Sequence, residues 1–131
     1  MYSNEFRKRS NIYYQAAFDL LLEYGTDVNK ANNRGESPYI IAIIREQYES
    51  ATKIKEATGF ILSENDKTKL NKLFHQEISK DQNNLNLEKI KTLLQVGAGV
   101  NSVDINSNTA LIKLMEKIEP EYNRPLSKLD L

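Results

Sequence analysis

The 131-residue chain has no cysteine, which excludes disulfides and thiolate metal sites. Its single histidine is His75. The His75-Gln-Glu77 stretch has the His-x-Glu of a zinc deaminase without the cysteine ligands, and the Glu-x-x-His pattern of di-iron proteins fails because Lys72 stands where the glutamate belongs. There is no glycine-rich phosphate loop and no nucleophile elbow. The carboxylate pairs Glu46/Glu49 and Glu119/Glu121 have no spacing that argues for paired acid–base work. His75 is expected as a surface or core-edge residue on a helix face. These shortages predict a protein with no catalytic activity, no cofactor and no metal.

An excess of one charge sign is missing too. Eighteen basic residues cancel eighteen acidic ones, and a neutral chain does not favour broad binding to phosphate backbones or anionic membranes. The Arg7-Lys8-Arg9 cluster therefore reads as a solvated face, not a nucleic-acid contact. The longest apolar run, Tyr39 to Ile44, is far too short to span a bilayer. The polar N-terminus is not followed by an apolar signal core. Glycine and proline are scarce, so each one present is informative punctuation. With 40% hydrophobic residues the chain can bury the core of one domain.

What is present is a repeat. Leu87 to Leu114 reads as an amphipathic helix, a glycine stop, a short extended loop and the start of another helix. Ala17 to Asn29, continued by Gly35 to Ala42, follows the same plan. Phe18 answers Ile90, Leu21 answers Leu93, Leu22 answers Leu94, and Gly25 answers Gly97. Val28 and Asn29 answer Val100 and Asn101, and Ser37 answers Thr109, each pair 72 residues apart. That offset is two repeats of roughly 33 residues plus a small insertion, a period typical of stacked helical units.

In chain order, Ser3 to Asn11 suits a short helix capped by Ser3, and Ile12 to Tyr24 a stronger one ended by Gly25. Leu20 widens its apolar surface, as expected where neighbours pack on two sides. Asn33-Arg34-Gly35 signals a turn. Ser37 caps and Pro38 opens a helix carried by Tyr39 to Tyr48; its β-branched run would also suit a buried strand, but the Ser-Pro start and the polar Arg45-Glu46-Gln47 favour helix. Ala51, Ile54 and Ala57, with Phe60 or Ile61, form a less regular face that Gly59 weakens or ends. Asn65 or Asp66 is expected to cap a helix over Lys67 to Lys80 with Leu70, Leu73, Phe74 and Ile78 on one stripe. Asp81 to Asn84 is a polar insertion. Leu87 to Gly97 is the best-formed helix and its stop. Thr109 caps Ala110 to Ile118, Pro120 prevents continuation, and Pro125 to Leu131 suits the start of one more helix.

Leu87 to Asn101 resembles the second helix and hairpin of an ankyrin repeat. Gly35-Glu-Ser37-Pro38-Tyr39-Ile-Ile-Ala42 resembles that family's Gly-x-Thr-Pro-Leu-His-x-Ala helix opening, and Asn106 to Leu111 resembles it again, with Asp104 at the repeat-opening acid. Ile40 and Ile112 stand in place of the family histidine, Ser107 in place of its glycine and Ala110 in place of its proline. The resemblance implies an all-α, ankyrin-like α-solenoid in a single domain over 1–131. It implies about four stacked helix-loop-helix repeats, roughly 3–31, 32–65, 66–103 and 104–131, two of them degenerate. Other helical-hairpin arrays are the alternative.

By the same resemblance, a partner protein binds at the loop tips and the inner face of the first helices. The tip candidates are Lys30, Asn32, Asn33, Arg34 and Glu36, then Ser102, Ile105, Asn106 and Asn108. The inner-face candidates are Ile44, Arg45, Glu116 and Lys117. Ile105, apolar between Asp104 and Asn106, either meets a partner or packs on a neighbouring loop. Tyr13, Tyr14, Tyr24, Tyr39 and Tyr48 crowd the N-terminal half and read first as core-edge residues. The Lys-, Asn- and Ile-rich composition resembles that of AT-rich genomes, among whose ankyrin proteins many act on host proteins. A cytoplasmic protein, or an effector delivered into a host cytoplasm, is the expectation. The alternative function is a structural or self-associating subunit, paired through Leu111, Leu114 and Met115 of the C-terminal repeat, or a fragment of a longer array.

Overall fold

The computed structural model describes residues 4–120, with side chains described from residue 11 onward. The expected cap at Ser3, the side chains of Arg7, Lys8 and Arg9, and the helix start at Pro125 lie outside what is described. The described residues are all-helical: α1 (Asn4–Glu23), α2 (Pro38–Ile44), α3 (Tyr48–Lys55), α4 (Glu64–Ile78), α5 (Leu87–Val96) and α6 (Ala110–Lys117). The extended pairing among them is one isolated antiparallel bridge, Val103 with Thr109. No helix among them is long and apolar enough to cross a membrane. The chain divides into two compact units, 1–66 and 67–131.

In the first unit, α1 is one helix of 20 residues where two were expected. No glycine or proline interrupts it, and the few tenths of a kcal/mol that Ser10 and Asn11 cost in propensity do not outweigh a continuous hydrogen-bond ladder. Its end matches the expectation. Gly25 takes φ +78°, its amide donates to Leu22 O, and the Thr26 amide donates to Leu21 O, which closes the last turn. Phe18, Leu22 and Gln15 are half-buried, while Leu20 is exposed, so α1 is packed on one side only.

Ser37 accepts from the Ile40 amide at 3.2 Å and caps α2, with Pro38 in its first turn. The helix ends at Ile44, short of the expected Tyr48. Glu46 adopts φ +57°, its amide donates to Ile43 O, and the Gln47 amide donates to Ala42 O at 2.7 Å. This is the closure seen at Gly25, made here by a residue with a side chain. The left-handed conformation costs about 1–2 kcal/mol. The break lets α3 fold back onto α2, so that Ala51 and Ile54 join Tyr39, Ile40, Ala42 and Ile43 in the core. Burying an isoleucine contributes roughly 2–3 kcal/mol, enough to offset the strained turn. Phe60 completes the core edge, its ring centroid 4.9 Å from that of Tyr39; the Tyr39 phenol is raised above its ordinary range by burial and by the nearby Asp66 carboxylate. Ile61, the alternative to Phe60, is exposed.

The α4 cap differs from expectation. Ser63 Oγ accepts from the Asp66 amide at 3.0 Å, so α4 begins at Glu64, and Asn65 and Asp66 are turned to other tasks. In the second unit Leu70, Phe74 and Ile78 of the expected stripe are buried, together with Leu93, Ala98 and Ala110. Asn86 caps α5 by accepting from the Lys89 amide, Gly97 stops it, and the Ala98 amide donates back to Leu93 O. Thr109 caps α6 as expected. The polar insertion is tied down by Glu77, which is 1% exposed. Its Oε1 accepts from Lys80 Nζ at 2.9 Å, and its Oε2 accepts from the Asn86 amide at 3.0 Å. Burial pushes the Glu77 carboxyl up; the Lys80 and Asn86 hydrogen bonds and the charges of Lys80 and Lys89 outweigh it, leaving the group below its ordinary range.

Candidate partner-binding surface

The two expected tips are built by the same bonds. In the first unit Asn32 Oδ1 accepts from the amides of Arg34 (2.9 Å) and Glu36 (3.0 Å), the Asn32 amide donates to Glu36 O, and the Gly35 amide donates to Asn32 O. In the second, Asp104 Oδ1 accepts from the amides of Asn106 (2.8 Å) and Asn108 (3.0 Å), the Asp104 amide donates to Asn108 O, and the Ser107 amide donates to Asp104 O. The left-handed position is Gly35 (φ +73°) in one and Ser107 (φ +64°) in the other. Each turn runs into a helix capped by a hydroxyl residue, Ser37 or Thr109. The 72-residue offset of the sequence is thus an offset of hydrogen bonds.

The first tip is fastened by side chains on both sides of it. Asn29 donates to Gly59 O at 2.7 Å and accepts from the Ile61 amide at 2.9 Å. Asn65 Nδ2 donates to Gly35 O at 2.6 Å. Ser37 Oγ donates to the buried Asp66 carboxylate, 2.9 and 3.0 Å from its two oxygens. A methyl group on Gly35 would stand 2.7 Å from Asn65 Nδ2 and displace that amide, and φ +73° itself favours glycine.

The second tip hangs on one ammonium. Lys113 Nζ lies 3.2 Å from Asp104 Oδ2, 3.1 Å from Ser79 Oγ and 3.1 Å from His75 Nδ1. An ammonium has three donors and no acceptor. Nδ1 must therefore offer its lone pair, and in this geometry His75 is the neutral Nε2–H tautomer. Nε2 then donates to Ser102 O at 3.0 Å, with Ser102 Oγ at 3.1 Å. His75 is buried, at the core edge rather than on the surface. The Asp104 carboxyl is lowered from its ordinary range, chiefly by the Asn108 amide; burial pushes it the other way, and the Asn106 amide and Lys113 add to the lowering. Asn71 Oδ1 accepts from the Gly99 amide at 2.7 Å and fixes the base of the same loop.

The candidates fall into two kinds on this geometry. Lys30, Asn33, Arg34, Ile44, Arg45, Ile105, Asn106 and Glu116 are exposed. Asn32 and Glu36 are bonded to each other and to their own turn. The Asn108 backbone belongs to the second turn, and Ser102 donates to Gly99 O at 2.6 Å while meeting His75. Lys117 donates to Ile78 O and Lys80 O, both at 3.0 Å, at the carbonyl end of α4. Ile44 and Arg45 lie at the end of α2 away from the first tip, and Glu116 and Lys117 at the end of α6 away from the second. Ile105 is 98% exposed, so no neighbouring loop covers it.

Beside Ile105 runs an open cleft of about 670 Å³, walled by Thr68, Lys72 and Gln76 of α4 on one side and by Val103 and Asp104 on the other, with Lys113 and His75 at its floor. Sequence reading passed over the α4 wall. Its signal was the four-residue spacing of Thr68, Lys72 and Gln76, a polar row beside the apolar stripe. Groups of three or more metal-ligating side chains are absent among the described residues. Comparison with family models, with curated proteins and with solved structures finds no match.

Proposed function

We propose that the chain is a non-catalytic, ankyrin-like helical-repeat module that binds a partner protein on the second tip and the cleft beside it. The observation that carries this reading is Ile105. A large apolar side chain is held almost fully in solvent on a turn whose backbone is locked by Asp104 and Lys113. Exposing it gains the fold nothing; presenting it to a partner on a pre-ordered turn lowers the ordering cost of binding. Lys72 and Gln76 supply polar contacts along the cleft wall, and the first tip offers Lys30, Asn33 and Arg34 in the same manner. The hydrogen-bond repeat at 72 residues supports the ankyrin-like assignment. The ring of His75 is engaged at both nitrogens, which favours a structural over a catalytic role.

The test is affinity capture with the purified chain beside an Ile105→Asp, Lys72→Glu variant of unchanged circular dichroism. A partner that is retained by the wild type and lost by the variant supports the reading. One retained equally by both places the binding surface elsewhere.

A further inference from the structure

We propose that the outer face of α1 is a self-association surface on which a second copy of this chain seats its own α1, antiparallel. The packed side of α1 is Gln15, Phe18 and Leu22. The opposite side is apolar and exposed: Tyr13 (79%), Ala16, Ala17, Leu20 (53%), Leu21 and Tyr24 (84%). Tyr13, Ala17, Leu20 and Tyr24 follow one another at +4, +3 and +4, the spacing of a seam between two helices.

The seam is complementary to itself. With a two-fold axis midway between Phe18 and Asp19 in sequence, each central seam residue meets the one whose number completes 37. Tyr13 then faces the second copy's Tyr24, and Ala17 faces its Leu20. The small Ala17 stands opposite the large Leu20, and the ends are closed by aromatic pairs. On the flanks an antiparallel pair sets like positions together, so Tyr14 lies beside the second copy's Leu21 and Ala16 beside its Glu23. Asp19 already pairs with Lys53 at 3.2 Å and lies off the seam, so no like charges are buried together.

The area suffices. An aromatic side chain buries about 150–250 Å², so covering three exposed tyrosines and two leucines removes on the order of 600–800 Å² per chain, the size of a standard interface. The exposed apolar residues of α6, Leu111, Ile112 and Met115, are carried by an eight-residue helix and include no aromatic side chain, so they offer less. Self-association is therefore assigned to α1 rather than to the C-terminal repeat, and it is independent of partner binding at Ile105.

Sedimentation equilibrium from about 1 to about 200 µM tests it. The wild type is expected to approach twice 15.1 kDa, whereas Leu20→Glu and Ala17→Arg stay at 15.1 kDa, an association at least about 100-fold weaker. Met115→Glu is expected to associate like the wild type. Because the chain has no cysteine, mixing Ala17→Cys with Leu20→Cys under mild oxidation reads the register: the mixed disulfide is expected to outrun the Ala17→Cys self-pair. A wild type monomeric throughout, a dimer surviving Leu20→Glu, a dimer lost in Met115→Glu, or a faster Ala17→Cys self-pair would each overturn the proposal.

Discussion

The turn at Asn32–Glu36 and the turn at Asp104–Asn108 share a backbone and differ in what fastens it. Both use a side-chain oxygen of the first residue to collect two amides, and both turn on a left-handed residue. The first is then held by amide and hydroxyl side chains, Asn29, Asn65 and Ser37, with a buried carboxylate behind them. The second is held by an ion pair and a histidine gathered on Lys113. Local turn chemistry is fixed by a handful of adjacent residues. The anchoring comes from residues about 30 positions away at the first turn, and at the second from Lys113 nearby and His75 about 30 away, so it is free to differ between two copies of one plan.

The difference is open to test. The largest effect is expected from the anchors. Ser37→Ala removes a helix cap and leaves the buried Asp66 without its hydroxyl donor, at about 2–4 kcal/mol. Lys113→Met breaks the hub of the second tip at about 2–3 kcal/mol. Urea denaturation measures both, and equal insensitivity would mean that neither anchor carries its tip.

Next comes the left-handed position, where the two tips are expected to respond with opposite sign. Gly35→Ala is strained in backbone and drives its Cβ onto Asn65, at about 1–2 kcal/mol. Ser107→Gly relieves a side chain from the same conformation and stabilises by about 0.5–1 kcal/mol. A destabilised Ser107→Gly would show that the Ser107 side chain has a role beyond the turn.

The smallest effect is acid sensitivity. Glu77 and Asp104, both in the second unit, are held below their ordinary range, so each binds its proton less readily folded than unfolded. Their contribution is present above the unfolded-state value, near 4 for carboxyls, and is lost as pH falls through it toward the lower folded value. Thermal melts between about pH 6 and 3 are expected to fall less steeply for Glu77→Gln than for the wild type. An unchanged slope would show that Glu77 is not a source of the acid limb.

Much of the scaffold was legible in the sequence because local chemistry writes it. Gly25 and Gly97 as stops, Ser37 and Thr109 as caps, and Pro38 as a helix opener each act within one turn of chain. The misjudged places are those where a distant partner decides. Glu46 has no left-handed preference that sequence would flag, and it turns there because α3 packs back on α2. Asn65 and Asp66 look like caps and are claimed instead by Gly35 and Ser37. His75, expected at the surface or core edge, and Glu77 and Lys113, which no local signal marks, are the buried or half-buried fasteners of unit two.

Helical class, the capped starts at Ser37 and Thr109, the stops at Gly25 and Gly97, and the 72-residue repeat were determined by the sequence alone, since periodicity, caps and left-handed glycines act over a few bonds. Only the tertiary structure decided which polar side chains are consumed as anchors and which are left to solvent. Asn32, Ser102 and Lys117 are the same residue types as Asn33, Ser107 and Lys72, and nothing local separates them. What separates them is whether folding brings a carbonyl, an amide or a carboxylate within about 3 Å of their donors and acceptors, because a buried polar group must be paired and an exposed one need not be.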